Sequence, residues 1–132
     1  MASLASPSIP VSWGELLDKL TILGIKRERI AAAEARANVV REYDLLHGVG
    51  AAVLREAAVA DLFGQLRHVN EELWEIEDAI RAEEAKASFG RAFVALARSV
   101  YRKNDERAAI KRRIDRTLES ELTEEKSYWS AS

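Results

Sequence analysis

Both prolines of this chain, Pro7 and Pro10, fall within its first ten residues. From Val11 onward every residue keeps the backbone N–H that a helix needs, and no ring fixes φ or crowds the preceding turn. Alanine, leucine, glutamate and arginine dominate that stretch, all good helix formers. No segment alternates apolar and polar β-branched residues with period two, and nothing recurs at a solenoid period. The chain therefore reads as all-α, and the open questions are how many helices it makes and what each one buries.

The first helix begins at a capping box. Ser12 can accept from the N–H three residues on, Glu15 can reach back, and Val11 and Leu16 can close over the start as a hydrophobic staple. Leu16, Leu20, Leu23 and Ile30 form one face, with Arg27 and Glu34 at stripe positions, and the pattern continues through Tyr43 to Leu46. Gly24 and the run Ala31-Ala32-Ala33 are the weakest points of such a rod. His47-Gly48-Val49-Gly50 then predicts a reversal, because glycine reaches the positive φ angles that end helices. A second helix follows on Ala58, Leu62, Leu66, Val69, Leu73, Ile76 and Ile80, at spacings of three and four, to about Lys86. A short connection near Ser88 leads into a third, from Phe89 to Leu122. The expected architecture is an antiparallel three-helix bundle, up-down-up and coiled-coil-like, with residues 1–11 extended or disordered and residues 12–132 a single helical domain.

The third helix carries the most telling irregularity. Its stripe of Phe89, Phe93, Leu96, Val100, Ile114, Leu118 and Leu122 is broken at the centre by Asn104, Arg107 and Lys111. At about 100° per residue, these polar side chains lie within about 40° of Phe93, on the face a helix normally buries. Buried polar groups are costly unless paired. Counting residues from the turns puts Arg27, Asn70 and Asn104 in one layer, Arg107 about a turn beyond, and Glu34 and Lys111 together at the next level. Two readings of this belt compete. In the first it is an internal network, with Arg27, Arg107 and Lys111 neutralised by Glu34, Glu77 and Asp105 and bridged by Asn70 and Asn104. In the second, Arg27, Asn70, Asn104, Arg107 and Lys111 cradle an anionic small molecule such as a phosphate, nucleotide or carboxylate. The first is preferred, because internal networks are commoner than active sites in short bundles.

Composition and charge narrow the functional classes. A net charge of −2 and 48% hydrophobic residues describe a globular protein, not a polycation for nucleic acid. Charge is unevenly placed, with seven acids and one arginine from Glu71 to Glu84 and eight bases and three acids from Arg98 to Arg116. Antiparallel neighbours would set these blocks side by side as mutually neutralising faces. Cysteine is absent, so there are no disulfides and no thiolate chemistry. Met1 to Ser12 lacks the pattern of a signal peptide and no later stretch is apolar enough to span a bilayer, so a cytoplasmic protein without a membrane or nucleic-acid partner is expected. A second apolar face on the first helix, Leu17, Ile22 and Ile25, predicts a homodimer. Tyr128 and Trp129 predict a C-terminal segment that folds back on the bundle, the alternative being an aromatic anchor presented to a partner.

Catalytic motifs are sparse. His47 and His68 are the only histidines and sit apart, and there is no phosphate-binding loop, dinucleotide fingerprint or nucleophile elbow. Glu71-Glu72-Leu-Trp-Glu75 is similar to the first half of the magnesium signature of all-α nucleotide pyrophosphohydrolases. The second half is replaced by Val100-Tyr-Arg-Lys-Asn-Asp-Glu-Arg107, so a solvated acidic face is the preferred reading. Helical chorismate mutases, which hold a dicarboxylate with arginine and lysine between long helices, are similar in architecture and pocket chemistry only.

A wider resemblance rests on the ordered blocks Val11-Ser-Trp-Gly-Glu-Leu-Leu-Asp-Lys-Leu-Thr-Ile-Leu23, Ile25-Lys-Arg-Glu-Arg-Ile30, Glu72-Leu-Trp-Glu-Ile-Glu-Asp78, Ser99-Val-Tyr-Arg-Lys-Asn-Asp-Glu-Arg107 and Glu124-Glu-Lys-Ser-Tyr128. Together they resemble a bacterial family of short helical proteins classed as a domain of unknown function. The resemblance implies a bacterial source, a helical fold and an occasional link to glycosyltransferase-type partners, with no assigned activity. The sequence thus predicts a structural or protein-interaction module with no catalytic residues, metal or cofactor. Its alternative is a binder of, or enzyme acting on, an anionic small molecule.

Overall fold

The computed structural model describes residues 4–125. Among them there are four α-helices and no strands: α1 (Trp13–Arg29), α2 (Ala33–Gly50), α3 (Ala57–Ala85) and α4 (Arg91–Thr117), with one 3-10 turn at Val53–Arg55. The all-α expectation holds. The three-helix expectation fails, because the first predicted rod breaks at Ile30–Ala32 and α2 folds back along α1.

The reason lies in what each half has to bury. An unbroken helix would carry Tyr43 about 35 Å from Leu20. Folded back, Tyr43 and Leu46 pack against the core, and Gly50 comes so close to α1 that an added Cβ would stand 2.9 Å from Leu20 Cδ1. The tri-alanine run supplies no side chain whose burial would resist the bend, and Ile30 and Ala32 both adopt extended ψ angles near 121°. The His47-Gly48-Val49-Gly50 segment stays helical with no positive φ, so its second glycine serves close packing instead of chain reversal.

Helix α1 is the central element. Leu17, Leu20, Val59, Leu62, Leu66, Val69, Ile110 and Ile114 form one buried cluster drawn from α1, α3 and α4. Leu16, Leu23 and Ile25 are buried as well, so α1 is covered on more than one side. This overturns the expected dimer face: Leu17 is 0% and Ile25 1% exposed, and Ile22 lines a groove.

All core residues lie at one end of the molecule. From Glu71 to Arg107 no residue is fully buried, because there α3 and α4 have mainly each other to pack against. That hairpin turns at Ala87, which takes φ 53° in a Schellman-type cap: Ala87 N–H donates to the Glu84 carbonyl and Ser88 N–H to the Glu83 carbonyl, both at 2.9 Å. A second non-glycine cap, at Glu119 with φ 50°, ends α4. The predicted fold-back of Tyr128 and Trp129 concerns residues outside those described.

Candidate functional site

The start of α1 rests on the end of α4. Its first three N–H groups after the cap, which have no partner inside the helix, are all satisfied, and the fourth makes the first helical bond. Trp13 N–H donates to Ser120 Oγ at 3.2 Å and Gly14 N–H to Asp115 Oδ1 at 2.7 Å. Glu15 N–H donates to Ser12 Oγ at 3.1 Å and Leu16 N–H to the Ser12 carbonyl at 3.1 Å. The predicted cap is present, but only in its serine half, since the Glu15 carboxylate turns outward to Lys111. Val11 remains exposed. Asp115 is 1% exposed and also accepts from Glu124 N–H at 2.9 Å, so its charge sits at a helix N-terminus, where it is favoured. Gly14 makes this approach possible: a Cβ there would lie 2.5 Å from the Lys111 carbonyl oxygen.

One turn further along, the polar residues of α4 meet their partners. Asp18, 1% exposed, accepts from Arg107 through both carboxylate oxygens in a fork-to-fork pair. Asn70 Nδ2 reaches Asp18 Oδ1 at 2.9 Å and Thr21 Oγ1 at 2.7 Å, and Thr21 Oγ1 donates to the Asp18 carbonyl at 2.7 Å. Arg107 also donates to Asn104 Oδ1 at 3.3 Å. Lys111 pairs with Glu15 at 2.7 Å and Glu124 at 2.9 Å. Burial works to lower the Lys111 pKa, but these two carboxylate hydrogen bonds outweigh it and the pKa is raised; that of Arg107 is raised chiefly by Asp18. No buried side-chain nitrogen or oxygen lacks a partner among the described residues.

The predicted belt is therefore partly present. Asn70, Asn104 and Arg107 come together, whereas Lys111 belongs to a neighbouring ion cluster with Glu15 and Glu124. Arg27 is elsewhere, its guanidinium 4.2 Å from the centre of the Tyr43 ring on α2. Of the proposed counter-ions, Glu34 and Asp105 are exposed and Glu77 pairs with Arg81 on its own helix. Asp18 takes their place, with Asp115 holding the next turn. A signal for both lay in the spacing: Gly14, Asp18, Thr21 and Ile25 share one face of α1, and Arg107, Lys111 and Asp115 follow one another at intervals of four.

Above the belt, Ile22, Ile25, Leu73, Trp74 and Val100 floor a groove of about 510 Å³, rimmed by Glu77, Asp78, Arg81, Asn104 and Arg107. The acidic cluster of α3 is engaged in ion pairs: Glu71 with Arg67, Glu72 with Lys103, and Glu75 with Arg29. The Glu72–Lys103 pair, at 2.9 Å, is a contact of the kind expected between the two charge blocks. No group of three metal-ligating side chains occurs among the described residues, His47 stacks on Tyr43, and exposed His68 lies 3.3 Å from Glu72. No helix among the described residues is long and apolar enough to cross a membrane.

These features define an all-α protein with an ion-paired belt and a long protruding hairpin. The chain belongs to the family of unknown function DUF6165, whose model matches residues 8–131. No curated protein and no solved structure matches it.

Proposed function

We propose that this protein is an interaction module without catalytic activity, a helical base that presents the α3–α4 hairpin to a protein partner. The observation that carries this reading is the hairpin itself. Two helices leave the core together with their shared seam only half covered; Val94 and Tyr101, two turns apart on one flank of α4, and Phe89 at the turn stand exposed. Exposed apolar surface on one flank of a helix is a usual mark of an interface. The belt supports the same reading, because Asp18, Glu15 and Glu124 already neutralise its two cations. Such a network holds α1 in register on α4 and leaves little positive charge for a ligand.

A second reading, an anion-binding groove, is favoured by the convergence of Asn70, Asn104 and Arg107 on one cavity. Glu77 and Asp78 on the same rim count against it. A thermal-shift screen with inorganic phosphate, nucleotides, sugar nucleotides and dicarboxylates separates the two. The interaction reading expects no stabilisation. A rise in melting temperature that grows with ligand concentration and vanishes in Asn104→Leu would overturn it in favour of the groove.

A further inference from the structure

The groove is the start of a longer uncovered face. Helix α1 ends at Arg29, beside Glu75 and Trp74 of α3. Below that level α1 covers the side of the hairpin on which Asn70 and Arg107 reach Asp18. Above it, the same side is lined by Trp74, Glu77, Arg81, Val100 and Asn104. Helical spacing carries this face of α4 outward from Asn104 through Tyr101 and Ala97 to Val94. Ala97 is exposed, Tyr101 is 42% exposed and Val94 51%. The face is an apolar strip on one helix beside a Glu77–Arg81 pair, 3.7 Å apart, and Asp78 on the other.

We propose that a second copy of this chain covers this face, its hairpin lying antiparallel across the first about a two-fold axis that passes beside Ala97 at the level of Ala79. The proposal rests on the hairpin being the interaction surface and names its partner. Charge favours a second copy. An axis level with Ala79 places Glu77 of each copy opposite Arg81 of the other, so the surface is complementary to itself, as a two-fold interface requires. Chain geometry agrees, because Ala79 and Ala97 are equally far in sequence from Ser88 in the turn and cross the axis at one level. The uncovered length from Trp74 to Ala87, about 20 Å at helical rise, has its midpoint close by. Reversing the second hairpin also carries its exposed Phe89 toward the apolar end of the first copy's groove, at Ile22 and Ile25. An unrelated peptide would have to supply each of these matches separately, whereas one two-fold axis supplies both sides of every pair.

The chain has no cysteine, so an introduced thiol reports the geometry directly. In Ala97→Cys the thiol sits beside the axis and faces its own counterpart, and mild oxidation should give a cross-linked species of twice 14.8 kDa. Ala95→Cys, two residues away on the opposite side of α4, should stay uncross-linked. Light scattering of the native chain at micromolar concentration should give the doubled mass. Ala97→Arg should restore the single mass with an unchanged helical circular-dichroism spectrum. Glu77→Arg should weaken the pair about tenfold, and adding Arg81→Glu should recover most of that loss. A native mass of 14.8 kDa, or cross-linking of the Ala95→Cys variant in preference to the Ala97→Cys variant, would overturn the second copy as partner. Either result leaves the interaction module intact with a different protein on its hairpin, whereas an anion that stabilises the chain through Asn104 removes the module reading itself.

Discussion

The base and the hairpin are built from the same residue types and stabilised by different means. In the base, four helices surround a cluster of fully buried aliphatic side chains, with Asp18 and Asp115 sealed inside among their donors. In the hairpin, two helices share a seam of half-buried side chains, and the charged partners stay partly or largely exposed. Buried pairs of the first kind are costly to break because the surviving partner is stranded. Exposed pairs of the second kind contribute about 0–1 kcal/mol each. The difference teaches that helical periodicity alone says little about stability, since a helix face is stabilising only when a second surface covers it.

Asp18→Ala should give the largest effect, destabilising by about 3–5 kcal/mol by stranding Arg107 and taking one of its two acceptors from Asn70. Glu77→Ala in the hairpin should stay within about 0.5 kcal/mol in the same urea titration. If the two substitutions cost the same, the contrast between a sealed base and a solvated hairpin is wrong. Truncation of aliphatic side chains sharpens the contrast. Leu66→Ala should cost about 2–5 kcal/mol and Ile80→Ala, half-buried, no more than half as much. Hydrogen exchange should show the same order, with amides of residues 60–70 opening only with the whole molecule and those near the turn opening locally.

Two glycines provide a smaller and opposite pair. Gly14→Ala drives a methyl group into the Lys111 carbonyl and should destabilise by about 1–3 kcal/mol, since backbone cannot step aside. Gly64→Ala meets nothing within 4 Å and should stabilise α3 by about 0.4–1 kcal/mol. The smallest effect is a pH dependence. The Lys111 pKa is raised by folding, so its contribution is full below the unfolded value of 10.5 and is lost as pH rises through the higher folded value. Denaturation from about pH 10 upward should therefore show a decline in stability that is smaller in Lys111→Met.

The fold was legible where periodicity was long and clean. The stripe from Leu62 to Ile80 marked α3, Ser12 marked the start of α1, and the polar break at Arg107 and Lys111 marked the place where α4 meets other helices. The reversal after α1 was not legible. Ala31-Ala32-Ala33 favours helix locally, and the bend becomes favourable only once Tyr43, Leu46 and Gly50 are laid against Leu17 and Leu20. Local propensity cannot register a gain that depends on residues about twenty positions apart. The carboxylates in the site were missed for a related reason. Asp18 stands beside Leu17 and Lys19 in an ordinary amphipathic segment, and only the three-dimensional meeting with Arg107, 89 residues away, distinguishes it from a surface acid.

The clasp between the first turn of α1 and the end of α4 has a consequence for the order in which the molecule is made. Gly14 waits for Asp115, Trp13 for Ser120, and Glu15 for Lys111, partners separated by 101, 107 and 96 positions. During synthesis, α1 leaves the ribosome long before any of them exists, and α2 and α3 follow with side chains that cover its aliphatic faces. The first turn of α1 is therefore the last part of the base to close, capped only when Asp115, Ser120 and Glu124 arrive.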